Sequence, residues 1–237
     1  MPIEMMIRKL RLHSTLADDD LAALRSIVTP VKDLPQETVI VREGDISTQS
    51  CVLMSGFAYR SKVSELGKRQ ILSFHIPGDM PDLQALLLKR MDHDLTTLSP
   101  AQVGFMSHSA LEEIVTARPA LGLALWKETL IDAVLFRQWI VNLGTRPAAG
   151  RMAYLMSELR HRLGAMNLVK DEQFSFPITQ SKLAEALGLS VVHVNRVLQE
   201  FRSQGVLDFR KRVVTLQDIE KIVELGGFDD ITWADEE

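Results

Sequence analysis

The chain has 237 residues, 46% of them hydrophobic and 24% charged, and a formal net charge of -4. This composition excludes a disordered or fibrous chain and allows one large domain or two modest ones, each with a core. No run of 18 or more apolar residues is available to span a bilayer.

The opening MPIEMMIRKLRLHS lacks the continuous apolar centre of a signal peptide. The single Cys51 excludes an internal disulfide, a cysteine-built zinc site and a cysteine-held iron–sulfur cluster within these residues. A reducing cytoplasm is the expected compartment. From Thr15 to Ile27, Leu16, Leu21, Leu24 and Ile27 recur at helical spacing behind the acidic turn Asp18, Asp19 and Asp20. After Pro30 the pattern shortens to β-rich runs at 38–41, 51–54, 57–59 and 71–74, and a weaker one at 102–106. Turn residues such as Gly44-Asp45, Ser55-Gly56 and Pro77-Gly78-Asp79 separate them, which predicts a small antiparallel barrel or sandwich.

A long helix is predicted over 119–143. Leu123, Trp126, Leu130, Ala133 and Ile140 form one apolar row, which Arg137 interrupts. A second row, with Leu125, Leu135 and Trp139, lies on another side. A helix apolar on two sides needs two partners. One is its own β domain. The other is a second copy of the same helix in a coiled-coil-like seam, or else the interior of a single larger domain. Gly144-Thr145-Arg146-Pro147 is the predicted break and hinge. Further helix is predicted over 151–163, a short strand over 174–177, a hairpin over 206–215 and a loosely held acidic end over the last ten residues.

Between them, ITQSKLAEALGLSVVHVNRVLQEFRSQG at 178–205 predicts a helix-turn-helix. Thr179 caps the first helix, and Leu183, Ala184 and Leu187 face inward. Gly188 makes the turn, Leu189 fills the corner and Ser190 caps the second helix. With Val191, Val194, Val197, Leu198 and Phe201 inward, Val192, His193, Asn195, Arg196 and Gln199 are left outside. Arg196 suits a bidentate contact to guanine, Asn195 an adenine and Val192 a thymine methyl. The alternative is a plain helical hairpin with a solvated face. The hairpin tip carries Arg210, Lys211 and Arg212 like a basic wing. From Thr145 to Gly226 there are 12 Lys and Arg against nine Asp and Glu, an excess that the whole-chain charge conceals. Thr179, Gln180, Ser181 and Lys182, at a helix N-terminus, suit phosphate positioning.

The segments VREGD, LMSGFAYR and FHIPGDM, the stretch RPALGLALWKETLIDAVLFRQWIVNLGTRPAAGRMAYLM and TQSKLAEALGLSVVHVNRVLQEFRSQGVL together resemble the Crp/Fnr superfamily of bacterial transcription regulators. The resemblance covers nearly the whole chain. It implies an α+β fold: an antiparallel cyclic-nucleotide-binding-like barrel or jelly roll at 1–117, a dimerisation helix and hinge at 118–144, and a winged helix-turn-helix at 145–237. It further implies a homodimer on a palindromic double-stranded DNA site, with RNA polymerase as a further partner. Arg196 matches the family's guanine-contacting arginine. Val192 replaces a common glutamate, Asn195 a Ser or Gly, and His193 a small polar residue.

Cyclic-nucleotide binders of this family carry Gly-Glu for the ribose and Arg-Ser or Arg-Thr for the phosphate. Here Pro81-Asp82 and His93-Asp94 stand in those places, so the candidate pocket residues Asp82, His93 and Asp94 include an aspartate that repels a phosphate. No cAMP or cGMP binding is expected. Nor is haem at His75 and His93, an iron–sulfur cluster, or a redox role for Cys51. An enzymatic reading of His75, His93, Asp82 and Asp94 matches no compact motif.

Overall fold

The computed structural model describes residues 3–229, so most of the acidic end lies outside the described residues. There are two compact units: residues 3–62 with 73–135, and residues 63–72 with 136–229. Among the described residues, no helix is long and apolar enough to cross a membrane.

Helix α1 (Glu4–Arg11) precedes α2 (Asp18–Ser26), the helix expected over 15–27. No expectation covered α1, although Ile3, Met6, Ile7 and Leu10 recur at helical spacing and are all buried. Strands β1 (Val31–Leu34), β2 (Val39–Val41), β3 (Gln49–Ser55), β4 (Ala58–Val63) and β5 (Arg69–His75) follow. Then come the short α3 (Ala85–Leu88), β6 (Asp94–Thr97), β7 (Ala101–Ser107) and α4 (His108–Ala117).

The strands make two sheets, ordered β1-β7-β3 and β2-β6-β4-β5, and not a closed barrel. Pairing is antiparallel, with Cys51 opposite Phe105 and Arg60 opposite Leu95. Strand β3 reads as an unbroken apolar run because both its faces are buried. Cys51 and Leu53 join Ala58, Leu95, Val103 and Phe105 between the sheets. Val52 and Met54 join Met6, Leu10, Leu24, Leu111 and Leu125 under the helices.

Helix α5 (Pro119–Thr145) is 27 residues long. It runs through Gly144, so the break expected to begin there comes only at Arg146-Pro147. In the second unit, α6 (Ala148–Ala165) is followed by β8 (Gln173–Ser175), α7 (Gln180–Leu187), α8 (Val191–Ser203), β9 (Leu207–Arg210), β10 (Val213–Leu216) and α9 (Ile219–Gly226). The expected hairpin gains a third strand, giving the order β8-β10-β9. Trp139 ties the end of α5 to α6, donating from Nε1 to Glu158 Oε2 at 2.8 Å.

The first unit contains a buried ionic network that the sequence did not announce. Arg60 on β4 is 1% exposed. Its Nε donates to the Pro81 carbonyl at 2.8 Å, Nη2 donates to the same oxygen, and Nη1 meets Asp132 Oδ2 on α5 at 2.6 Å. One turn earlier, Glu128 pairs with Lys9 at 2.7 Å and with His13. Lys9 also meets Asp79 at 2.8 Å, and Asp79 meets His75 at 3.3 Å. Burial pushes the Glu128 and Asp132 carboxyls upward, but Lys9 and His13 around the first and Arg60 and His75 around the second outweigh it. Both carboxyls therefore lie below their ordinary values.

Arg60 is buried while the Asp132 side chain is 30% exposed, so removing Asp132 strands a buried cation. Asp132→Leu should destabilise the protein to urea by about 3–5 kcal/mol, because Arg60 loses its counter-charge. Adding Arg60→Met should recover most of that loss. Independent, additive losses would show that the pair is not a unit.

Two further buried groups respond to pH in opposite directions. Burial and then Arg60 lower the His75 imidazole to about 4, against the pull of Asp79. Burial raises Asp82 to about 6, against the hydrogen bond it accepts from Cys51. On acidification His75 gains its proton first in the unfolded chain, which costs stability. Asp82 gains its proton first in the folded chain, which adds stability. Between pH 7 and 4.5, His75→Gln should therefore gain about 2–3 kcal/mol relative to wild type, and Asp82→Asn should lose about 2 kcal/mol. Urea titrations at the two pH values read both signs, and parallel wild-type and variant curves would contradict them.

Candidate nucleic-acid interface

The helix-turn-helix is built from local signals. The Thr179 side chain accepts from the Lys182 backbone N–H at 3.3 Å, and Ser190 accepts from that of His193 at 3.2 Å. Each satisfies a donor that the first turn leaves open. Between the helices Gly188 is left-handed, with φ 63 and ψ 38, a conformation glycine adopts without steric cost. The Leu187 carbonyl next to it accepts from Arg151 Nη1 of α6 at 3.0 Å. Leu183, Ala184 and Leu187 are buried as expected, and Leu189 is half-buried in the corner.

On α8, Val194, Val197, Leu198 and Phe201 are buried. Val191, expected among them, is 43% exposed, because it lies in the first turn, before the helix meets its packing partners. Val192 is 80% exposed, and Asn195, Arg196 and Gln199 are exposed as well. His193 is only half-buried rather than fully outward. These residues do not stand singly. Arg196 Nη2 donates to His193 Nε2 at 2.8 Å. From α7, Gln180 Nε2 donates to Asn195 Oδ1 at 3.1 Å, so a candidate phosphate position and a candidate base position are already joined. Thr179 and Ser181 are exposed, while Gln180 and Lys182 are half-buried.

The wing is tighter than its sequence suggests. Val213 pairs with Arg210, which leaves Lys211 and Arg212 as a two-residue turn with φ 50 and φ 67. Such primed turns normally use Asn-Gly, since a side chain in the left-handed region is strained. Here two cations take those positions, and both are exposed. Arg210 meets Asp208 at 3.0 Å, and the same carboxylate holds Arg202 of α8 at 2.7 Å. The two arginines keep Asp208 below its ordinary value despite the upward push of burial.

On α5 the two apolar rows separate as expected. Leu125 and Trp139 are buried and Leu135 is half-buried, whereas Leu123, Trp126, Leu130 and Ile140 are each more than half exposed. Ala133 is half-buried and Arg137 exposed in the same row.

The three candidate pocket residues have separate local partners. Asp82 is buried, and its Oδ1 accepts from the Cys51 N–H at 2.7 Å. Asp94 accepts from the Glu43 N–H at 2.8 Å. His93 Nδ1 meets Asp92 at 2.8 Å, while its buried Nε2 has no hydrogen-bond partner. Burial and then Arg60 lower the His93 imidazole. Cys51 is buried, and burial followed by the nearby Asp82 raises its thiol well above the ordinary value. Among the described residues no group of three or more His, Cys, Asp or Glu could hold a metal ion. Sequence reasoning missed Arg60, Glu128 and Asp132, whose charge alone argued for the surface.

Residues 31–118 match a family model described as a cyclic nucleotide-binding domain, and residues 150–225 one described as a Crp-like helix-turn-helix domain. The chain is 26% identical over 221 residues to an anaerobic regulatory protein of Aggregatibacter actinomycetemcomitans, covering 93% of this chain and 86% of that one. It is 25% identical over 197 residues to the transcriptional activator protein FnrL of Cereibacter sphaeroides, covering 80% and 77%. Among solved structures, FixK2 from Bradyrhizobium japonicum shares its fold, with a TM-score of 0.78 and 22% identity over 85% of this chain and 99% of that one. With both family domains in one chain, in this order and on this fold, the chain belongs to the Crp/Fnr superfamily and is a DNA-binding transcription regulator.

Proposed function

We propose that the protein acts as a homodimer that reads a palindromic DNA site through α8 of each copy, without enzymatic activity and without cAMP as its signal. One observation carries the DNA reading: Arg196 stands exposed on a helix whose opposite face is fully packed, beside Asn195 and the uncovered Val192. Arg196 and Asn195 are the base-reading residues, Val192 offers a methyl contact, and His193 lies at the same edge. Thr179, Gln180, Ser181 and Lys182 position one phosphate stretch, and Arg210, Lys211 and Arg212 another. The division of labour is a sensor unit at 1–117, a dimer helix and hinge at 118–144 and the DNA-binding unit at 145–237. RNA polymerase is the further partner and the cytoplasm the site of action.

The dimer is supported by the outer row of α5, where Leu123, Trp126, Leu130, Ala133 and Ile140 offer apolar surface that a second copy can cover. Asp82, His93 and Asp94 are the candidate ligand residues of the sensor, and the carboxylates among them disfavour a phosphate. The single buried Cys51 cannot supply the four thiolates of a cluster, and His75 and His93 have no haem-binding pattern around them.

In a mobility-shift assay on a duplex selected by the wild-type protein, Arg196→Ala should cost about 1–3 kcal/mol and relax preference at one base pair. Added cAMP should leave the shift unchanged. Replacing the wing tip by Lys211→Asn with Arg212→Gly should raise thermal stability by about 1 kcal/mol per relieved residue. The same change should weaken binding on all sequences and flatten the salt slope. Leu130→Glu should convert the dimer to monomer in sedimentation and abolish tight operator binding. An unchanged sedimentation coefficient would refute the α5 seam.

A further inference from the structure

The Arg196–His193 contact constrains what each side chain can do. A guanidinium has donors only, so a bond to His193 Nε2 requires that nitrogen to carry a lone pair, with the ring neutral and its proton on Nδ1. The residues are an i, i+3 pair, neighbours on one helix face. His193 is itself anchored: its backbone N–H is held by the Ser190 cap and the residue is half-buried, whereas Arg196 is exposed. An exposed arginine samples many rotamers, and each must be given up on binding a base. The bond to His193 removes part of that freedom beforehand. It occupies one of the two Nη2 hydrogens and leaves the other, together with Nη1 or Nε, for a two-donor contact. The same lone pair cannot also accept from a base donor.

We propose that His193 is a positioning residue that sets base discrimination by orienting Arg196, and does not itself read a base. This rests on the reading of α8 as the recognition helix. Asn195 is held in a parallel way from α7, with its Oδ1 already accepting from Gln180. The candidate reading edge is thus preformed at both of its polar positions.

The test uses full-length protein and a duplex selected by the wild type from random sequence, with a panel of single-base-pair variants at fixed salt. Arg196→Ala should remove discrimination at one base pair. His193→Ala should lower discrimination at that same base pair by about 3- to 10-fold, with thermal melting, non-specific affinity and salt slope unchanged. His193→Gln, whose side-chain oxygen can accept from Nη2, should restore most of it. In the Arg196→Ala background, His193→Ala should add nothing at that position. The proposal is overturned if His193→Ala leaves discrimination intact, if the loss falls at a different base pair, or if it persists without Arg196. If Arg196→Ala changes no base preference, the recognition-helix reading falls first and takes this proposal with it.

Discussion

The grip of buried charge on α5 is the constraint on which the first unit depends. Glu128 and Asp132 stand one turn apart and hold Lys9 and His13 of the N-terminal segment and Arg60 of the β sheet. Apolar packing alone would let a helix slide or rotate over the sheet at modest cost. Ion pairs with defined partners on two different elements favour one rotation and register, a role polar groups take in some protein cores. The helix is held with its acids inward, so its opposite row, Leu123, Trp126 and Leu130, is presented outward. The surface proposed for the second copy is thus a by-product of where the carboxylates must go.

The second unit solves a different problem, that of placing polar groups on a surface without leaving them mobile. Caps at Thr179 and Ser190 fix the ends of α7 and α8, and Arg151 fixes the turn between them. Asp208 then ties the last turn of α8 to the wing strand through Arg202. The wing departs from the least strained solution: Lys211 and Arg212 occupy left-handed positions where Asn-Gly would rest more easily. Strain of this kind persists where the surroundings impose it, and it gathers at functional positions. Its cost is confined to one turn.

The helix-turn-helix was legible because its signals are local: caps, a glycine, and apolar spacing that matches a single period. The two rows of α5 were legible for the same reason. Helix α1 carried an equally regular pattern in Ile3, Met6, Ile7 and Leu10, but its many charged neighbours hid it. Strands β1 and β6 were not legible, since VKDL and DLTT present little apolar alternation and owe their place to pairing with β7 and with β2 and β4. Arg60 was the least legible of all. In AYRSKV an arginine reads as an outward residue, and partners far along the chain, the Pro81 carbonyl and Asp132 72 positions later, make its burial tolerable. Long-range charge compensation leaves no periodic trace.

That same compensation bears on what the sensor unit can receive. A phosphate entering beside Arg60 would compete with Asp132, which already meets that guanidinium at 2.6 Å. The surrounding groups add further opposition, since Asp79, Asp82 and Glu128 are all buried acids, and Lys9 is already shared between two of them. Burying one more anion there would raise an uncompensated negative charge in a low-dielectric interior, which costs more than any single new hydrogen bond returns. In the reading proposed for this unit, charge balance is what disfavours a cyclic nucleotide. It makes the Arg60–Asp132 pair, rather than the cassette residues Asp82 and His93, the first place to alter if phosphate affinity is to be built into this unit.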